Sequence, residues 1–248
     1  MRALLGAPDK TRAEFAFEGD TLLAESLRSN IELSTVFFAE TRLHARNLPP
    51  LNDFEAEVIS LPDSLFRSLV STEASQGIAA IAVRPHFDLN ACLGNSSPLI
   101  VIAAAIQDPG NFGTLIRSAE AFGATGVLAL PGTVSAWNQK ALRASAGSTF
   151  RLPVGEVAIA QIGGLKERGI RVYAAVAGDA TEARQAPLRD PIAIMIGNEG
   201  AGLAPELVAL SDGLITVPSS GVVESLNAAV AGSILLYEAW QMRKGVSR

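Results

Sequence analysis

The chain has 248 residues, 48% of them hydrophobic, and a formal net charge of −5. That supplies one large core or two smaller ones, and the overall balance lacks the basic footprint of a typical phosphate binder. A single cysteine, Cys92, excludes an internal disulfide and a cysteine-based metal cluster, and two histidines, His44 and His86, leave no zinc site to expect.

The start MRALLGAPDKTR has no signal-peptide apolar region, and no apolar run approaches a membrane span. A soluble, cytoplasmic protein with no membrane partner and no metal is expected. Phe15-Ala16-Phe17 alternates as a short strand. Asp20–Arg28 predicts an amphipathic helix, with Asp20 as N-cap and Leu22, Leu23 and Leu27 as its apolar stripe. Leu33–Phe38, Glu55–Leu61 and Gly77–Val83 read as strands and Pro62–Val70 as a helix. This alternation predicts a small α/β domain over residues 1–85. Arg84–Pro98 mixes Pro, Gly, Asn and Ser without period, so residues 86–97 are expected to be a linker, with Cys92 partly buried in it and His86 incidental.

Residues 98–248 form the second expected domain. Pro98–Ile106 is an almost continuous apolar run, the pattern of a strand buried on both faces. A turn at 107–113 leads to a helix over Thr114–Phe122, ended by Gly123. Thr125–Leu130 reads as a strand, Trp137–Ala146 as a helix, Phe150–Val154 as a short strand, Ile159–Arg168 as a helix and Arg171–Val176 as a strand. Pro191–Ile196 and Leu214–Val217 are two further strands, each delivering a polar, glycine-containing loop, and Leu226–Trp240 is a long apolar helix. Such alternation predicts a mostly parallel sheet with helices on both faces. Ligands in these sheets sit at the carboxyl ends of the strands.

The candidate chemistry is spread over three strand-to-helix turns: Asn111 and Arg117 after the first, Glu199 after Ile196, and Ser225 and Asn227 before the last helix. Each has an ordinary reading. Arg117 could snorkel or pair with Glu120, Glu199 could be a plain loop carboxylate, and Ser225 or Asn227 could cap a helix. Together they form a site-like constellation. The turn at 107–113 lacks the glycine spacing of a dinucleotide cradle, and no P-loop occurs.

Three stretches resemble the signature motifs of the SpoU (TrmH-like) class of SPOUT RNA methyltransferases: Asp108 through Gly123, Ile196 through Leu203, and Val217 through Ala231 with Ser225-Leu226-Asn227 inside it. Lys140 through Gly147 and Phe150 through Val154 are also similar to that family. Phe17-Glu18-Gly19 and Thr72 through Gly77 resemble pieces of its small RNA-binding domain, itself similar to a ribosomal protein. The chain departs from the pattern at Ser135-Ala-Trp137-Asn138, where a basic residue is frequent, and at Asn227-Ala-Ala, where Asn-Val-Ser is commoner.

The resemblance implies an α/β fold whose C-terminal SPOUT domain is closed by a trefoil knot. It implies S-adenosylmethionine as methyl donor and a ribose 2′-hydroxyl of structured RNA, ribosomal RNA before tRNA, as acceptor. It also implies a homodimer built through the C-terminal domain. Carried onto this chain, Asn111, Arg117, Glu199, Ser225 and Asn227 are the expected catalytic set. Ile196, Gly197, Gly200, Val217 and Leu226 would bind the cofactor, and Arg117, Lys140 and Arg143 the RNA. Glu199 is expected to pair with Arg117. Two other readings are weighed. A non-catalytic RNA-binding or assembly protein is disfavoured by the complete motif set, and a nicotinamide-dependent enzyme by the missing glycine fingerprint. Arg12, Arg28, Arg42, Arg46 and Arg151 are further candidates for RNA contact, or ordinary surface charges.

Overall fold

The computed structural model describes residues 13–43, 55–70, 75–94, 97–220 and 225–244; Arg12, His44, Arg46 and the Thr72-Glu73 pair lie outside them. Among the described residues the N-terminal part is a four-stranded sheet with three helices against it: β1 (Glu14–Glu18), α1 (Asp20–Arg28), β2 (Leu33–Ala39), α2 (Glu40–Leu43), β3 (Glu57–Leu61), α3 (Asp63–Leu69) and β4 (Ile78–Val83). The strand order is β1-β4-β2-β3, with β4 antiparallel to both neighbours and β2–β3 parallel. Asp20 is not the N-cap of α1 but its first helical residue. Gly19 precedes it, with φ 101.

The expected linker is not featureless. It holds α4 (Leu89–Leu93), capped by Asp88, whose side chain accepts from the Asn90 backbone N–H. Cys92 is fully buried rather than partly so. A Cβ on Gly126 would come within 2.3 Å of its sulfur, which is why a glycine faces it. Burial pushes the Cys92 thiol up to about 11, so it stays protonated at neutral pH.

The C-terminal part is a seven-stranded sheet in the order β7-β6-β5-β10-β8-β11-β9, and every pair of neighbours is parallel. In chain order its elements are β5 (Leu99–Ala103), α5 (Pro109–Ala121), β6 (Gly126–Ala129), α6 (Gln139–Ser145), α7 (Ser148–Arg151), β7 (Val154–Glu156), α8 (Gln161–Glu167), β8 (Arg171–Ala175), β9 (Thr181–Glu182), β10 (Ile192–Ile196), α9 (Pro205–Val208), β11 (Gly213–Thr216) and α10 (Ala228–Lys244). The central strands β5 and β10 are buried along their whole length, as their unbroken apolar runs require.

Two expectations fail here. Phe150–Val154 is not a strand: Ser148–Arg151 turns as a helix and β7 begins only at Val154. The first motif helix starts five residues before Thr114, because Asp108 caps it and Pro109 supplies a first-turn φ. Its glycines serve packing, since a Cβ on Gly113 would sit 2.3 Å from the carbonyl oxygen of Ala141 on α6.

The two sheets share a core. Phe15 and Phe17 of β1 pack against Trp137 and Phe150, with ring centroids 4.6 to 6.0 Å apart for the pairs in contact, and the cluster runs on into Leu99, Val101 and Ile194. Arg84 lies over the Trp137 ring. Around this apolar seam, Arg143 pairs with Glu18, and Arg151 bridges Glu120 and Glu25.

Candidate active site

The carboxyl ends of β8, β10 and β11 open onto a cavity of about 480 Å³. The second motif lines one wall from Ile196 to Leu203. The third lines another through Val217, Ser219, Ser225 and Leu226, and α10 closes the floor with Ala231 and Leu235. All five residues expected to hold the cofactor, Ile196, Gly197, Gly200, Val217 and Leu226, lie on this cavity. So does Ala175 through Gly178 at the end of β8, which sequence reasoning passed over. Its signal was a strand ending in small residues beside β10.

The second motif folds back on itself. Backbone groups of Asn198 and Gly202 exchange hydrogen bonds at 3.0 Å in both directions. The Asn198 side chain accepts from the N–H of Gly200 at 2.9 Å and of Ala201 at 3.1 Å, while its amide donates to the carbonyl of Ala105 at 2.8 Å. Asn198 is therefore the residue that moulds the loop and ties it to the end of β5, a role the sequence alone did not assign. Ala105 takes φ 55, a left-handed backbone that a non-glycine side chain holds at a cost of about 1 kcal/mol or more. Gly197 has no room for a side chain: a Cβ there would lie 2.4 Å from the carbonyl carbon of Gly202 and 2.6 Å from the nitrogen of Leu203.

At the rim the three motifs meet. Asn111, in the first turn of α5, donates from its side-chain amide to Glu199 Oε1 at 2.8 Å. Its carbonyl oxygen accepts from Asn227 Nδ2 at 3.0 Å. Asn227 Oδ1 in turn accepts from the N–H groups of Ala229 and Val230, capping α10. Ser225 is exposed on the cavity wall. Asp108 caps α5 through the N–H of Asn111 and binds Lys140 Nζ at 2.7 Å. The Lys140 hydrogen bond, then that N–H, hold the Asp108 carboxyl below the usual carboxylate range.

The expected Glu199–Arg117 pair is not formed. Glu199 is taken by Asn111, and Arg117 is exposed with no ion-pair or hydrogen-bond partner among the described residues. Nor does Arg117 pair with Glu120, which binds Arg151 at 2.6 Å. The other basic candidates are engaged: Arg28 with Glu25, Arg42 with Asp20, Lys140 with Asp108 and Arg143 with Glu18. Arg117 is thus an exposed cation without a partner among the described residues, a fixed positive charge suited to a phosphate or a developing alkoxide. No group of three or more metal-ligating side chains occurs among the described residues.

This fold and these motifs define a class. Residues 98–237 match the family model described as the SpoU rRNA Methylase family, and the chain belongs to that family. The Bacillus subtilis (strain 168) protein named 23S rRNA (guanosine(2553)-2'-O)-methyltransferase RlmP is 34% identical over 225 residues, which span 90% of this chain and 87% of that protein. The crystal structure of the SpoU methyltransferase AviRb from Streptomyces viridochromogenes in complex with the cofactor AdoMet matches with a TM-score of 0.88 at 28% identity, over 98% of this chain and 96% of that one. A crystal structure described as an RNA 2'-O ribose methyltransferase matches with a TM-score of 0.81 at 26% identity, over 98% of this chain and 94% of that one.

Proposed function

We propose that the protein transfers a methyl group from S-adenosylmethionine to a ribose 2′-hydroxyl of ribosomal RNA. The observation that carries this is the hydrogen-bonded cluster Glu199–Asn111–Asn227 at the rim of the motif-lined cavity, with Arg117 of the first motif exposed and unpaired among the described residues. The similarity to a 23S rRNA methyltransferase of Bacillus subtilis supports ribosomal RNA as the acceptor.

The cavity fits the donor. Its volume lies within the range of small-ligand pockets, and it joins apolar walls at Ile196, Val217 and Leu226 to the backbone of the second motif. Bound there, S-adenosylmethionine supplies an electrophilic methyl on a sulfonium sulfur. The chain's part is to align and to neutralise. Ile196, Gly197 and Gly200 shape an adenine slot with Val217 and Leu226. Asn111 and Asn227 lock the first and third motifs together. Glu199 orients Asn111, and Ser225 offers a hydroxyl to the ribose. Arg117 holds the adjacent phosphate and stabilises charge on the 2′-oxygen as its proton leaves.

In the same reading, Lys140 and Arg143 extend the RNA track from the catalytic half toward the small sheet, which serves as an RNA-binding unit. The C-terminal segment threads back through a loop as a trefoil knot, a reading supported by the similarity to SpoU methyltransferase structures and by the bond from Asn227 to Asn111. Two chains pair through the outer face of α10, and the protein works in the cytoplasm. No helix among the described residues is long and apolar enough to cross a membrane. Calorimetric titration with S-adenosylmethionine, followed by mapping of 2′-O-methyl groups on ribosomal RNA incubated with the protein, tests the proposal. Absence of donor binding would sink it.

A further inference from the structure

The seam between the two sheets carries a chain of charged groups that the donor cavity does not use. Arg151, at the end of α7, grips Glu120 of α5 with two parallel bonds, Nε to Oε1 at 2.6 Å and Nη2 to Oε2 at 2.9 Å. Its Nη1 donates to Oε2 of Glu25 on α1. The other oxygen of Glu25 accepts from Arg28 at 2.6 Å, so both oxygens of that carboxylate are engaged. Gly147 makes the approach possible. It takes φ 88 just before α7, and a Cβ there would lie 2.7 Å from both Cβ and Cγ of Glu25.

The two ends of this chain lie on different working parts. Glu25 belongs to the first helix of the small sheet. Glu120 follows Arg117 by three residues on one strip of α5, and α5 also carries Asn111 in its first turn. One guanidinium thus joins the small unit to the helix that holds two of the expected catalytic residues. Phe15 and Phe17 packed on Trp137 and Phe150 hold the two units together. Apolar burial is non-directional, however, and constrains rotation at the seam less than a bidentate guanidinium–carboxylate pair of fixed geometry. Magnitudes separate stability from placement. The Arg151 side chain is 36% exposed, and ion pairs at that exposure add little to stability. A reacting group misplaced by about 1 Å loses about a hundredfold in rate.

We infer that Arg151 is a positioning residue for methyl transfer: by bridging Glu25 and Glu120 it sets the angle at which the small sheet delivers the RNA to Arg117 and Asn111 on α5. The inference rests on the RNA methyltransferase reading with the small sheet as an RNA-binding unit. It gives Arg151 a part other than direct RNA contact, since its guanidinium is already spent on two carboxylates.

Single-turnover methylation of in vitro transcribed 23S ribosomal RNA by the full chain, at saturating RNA and donor, tests it. Glu25→Gln cuts the bridge at the seam and leaves the Arg151–Glu120 pair in place. Its rate is expected to fall about tenfold, with the Kd for RNA and for S-adenosylmethionine within about twofold. Its melting temperature should stay within about 4 °C of wild type. The variant removes a negative charge, so weaker attraction for RNA cannot explain a slower step. Arg151→Lys keeps the charge without the fork and should slow the step alike. Spin labels at two exposed positions, introduced as Glu32→Cys and Glu167→Cys, report the angle whether or not RNA is methylated. One narrow distance is expected in the otherwise native chain and a broader distribution with Glu25→Gln. A wild-type single-turnover rate in Glu25→Gln, or an unbroadened distance, overturns the inference and leaves methyl transfer standing. A native chain that methylates no RNA instead overturns the functional reading on which the inference rests.

Discussion

The side-chain amide of Asn111 donates to Glu199 Oε1 across 88 positions of chain, at 2.8 Å. That bond fixes the first motif to the second, and because the acceptor is a carboxylate it is worth about 1.5–3 kcal/mol. Asn111→Asp replaces a donor with a second carboxylate facing Glu199 while keeping an acceptor for Asn227. The kcat/KM for RNA methylation is expected to fall by about a hundredfold or more. Asn111→Ala, which loses both bonds without adding charge, should retain more activity than Asn111→Asp. Equal activity of the two variants would refute an electrostatic part for Glu199.

Arg117 is outside the residues that line the donor cavity and is unpaired among the described residues. Arg117→Ala is therefore expected to leave the calorimetric Kd for S-adenosylmethionine within about twofold while cutting single-turnover methyl transfer by about a hundredfold or more. Loss of donor affinity in this variant would move Arg117 from the RNA side of the reaction to the donor side.

How far the sequence spoke depends on whether a property is local. The strands over 99–103 and 192–196 were legible because burial on both faces demands unbroken apolar runs. The cavity walls at Ile196–Leu203 and at Val217, Ser219, Ser225 and Leu226 followed from two strand ends with polar loops. The true start of α5 was hidden because Gly110 and Gly113 look like turn residues; the reason for Gly113 is the Ala141 carbonyl, a neighbour distant in sequence. Phe150–Val154 was misread for a related reason. Its apolar residues serve the seam with Phe15 and Phe17, not a period-two strand. The partner of Glu199 was equally out of reach. Choosing between Asn111 and Arg117, two side chains on one helix, takes the angle at which α5 meets the second motif.

Gly197 gives a second separation of effects. A side chain there meets the backbone of Gly202 and Leu203, within 2.4 to 2.6 Å of a Cβ, before it reaches the cavity. Gly197→Val therefore acts by pushing the second motif open, and even Gly197→Ala should suffer. Both variants are expected to lose calorimetric S-adenosylmethionine binding. If Gly197→Ala bound the donor normally, the close approach of the loop would not be what shapes the slot.

The seam between the sheets should respond to acid. The hydrogen bond from Arg151 holds the Glu120 carboxyl below its ordinary value of 4.5. A carboxyl with a depressed folded value stabilises the fold in full above its unfolded value, and loses that contribution as pH falls through the folded value. Glu120 is partly exposed, so its share is on the order of 1 kcal/mol at most, or about 2–4 °C for a chain of this size. The melting temperature of Glu120→Gln should fall below wild type above pH 4.5 and converge with it as the pH drops further. Glu18 runs the other way, because burial raises its carboxyl. Its charged form is disfavoured in the fold at neutral pH, and that cost is relieved on acidification. A Glu120→Gln variant with the wild-type melting temperature at every pH would remove the Arg151 bridge from the account of the seam.

The last expectation concerns the outer face of α10. On its inner side Gly232 lets the helix lie close to α5, where a Cβ would come within 2.5 Å of Leu115 Cδ1, and Ala231 and Leu235 reach the cavity. On its outer side Val230 is 47% exposed and Tyr237 41%, and Tyr237 and Trp240 form an aromatic group with Phe122 of the loop after α5. Large apolar side chains gathered on one surface are the mark of an interface. A stable dimer buries about 800 Å² on each partner, and the expected pairing packs α10 of one copy against α10 of the other. Light scattering of the purified chain at micromolar concentration should therefore give the mass of two chains. Val230→Glu and Tyr237→Glu, each placing a charge on the outer face and none in the cavity, should give the mass of one. Because the same helix floors the donor cavity, the monomeric variants should also bind S-adenosylmethionine more weakly. A wild-type chain that scatters as a monomer would refute the pairing, and monomeric variants with unchanged donor affinity would show that the two cavities do not depend on it.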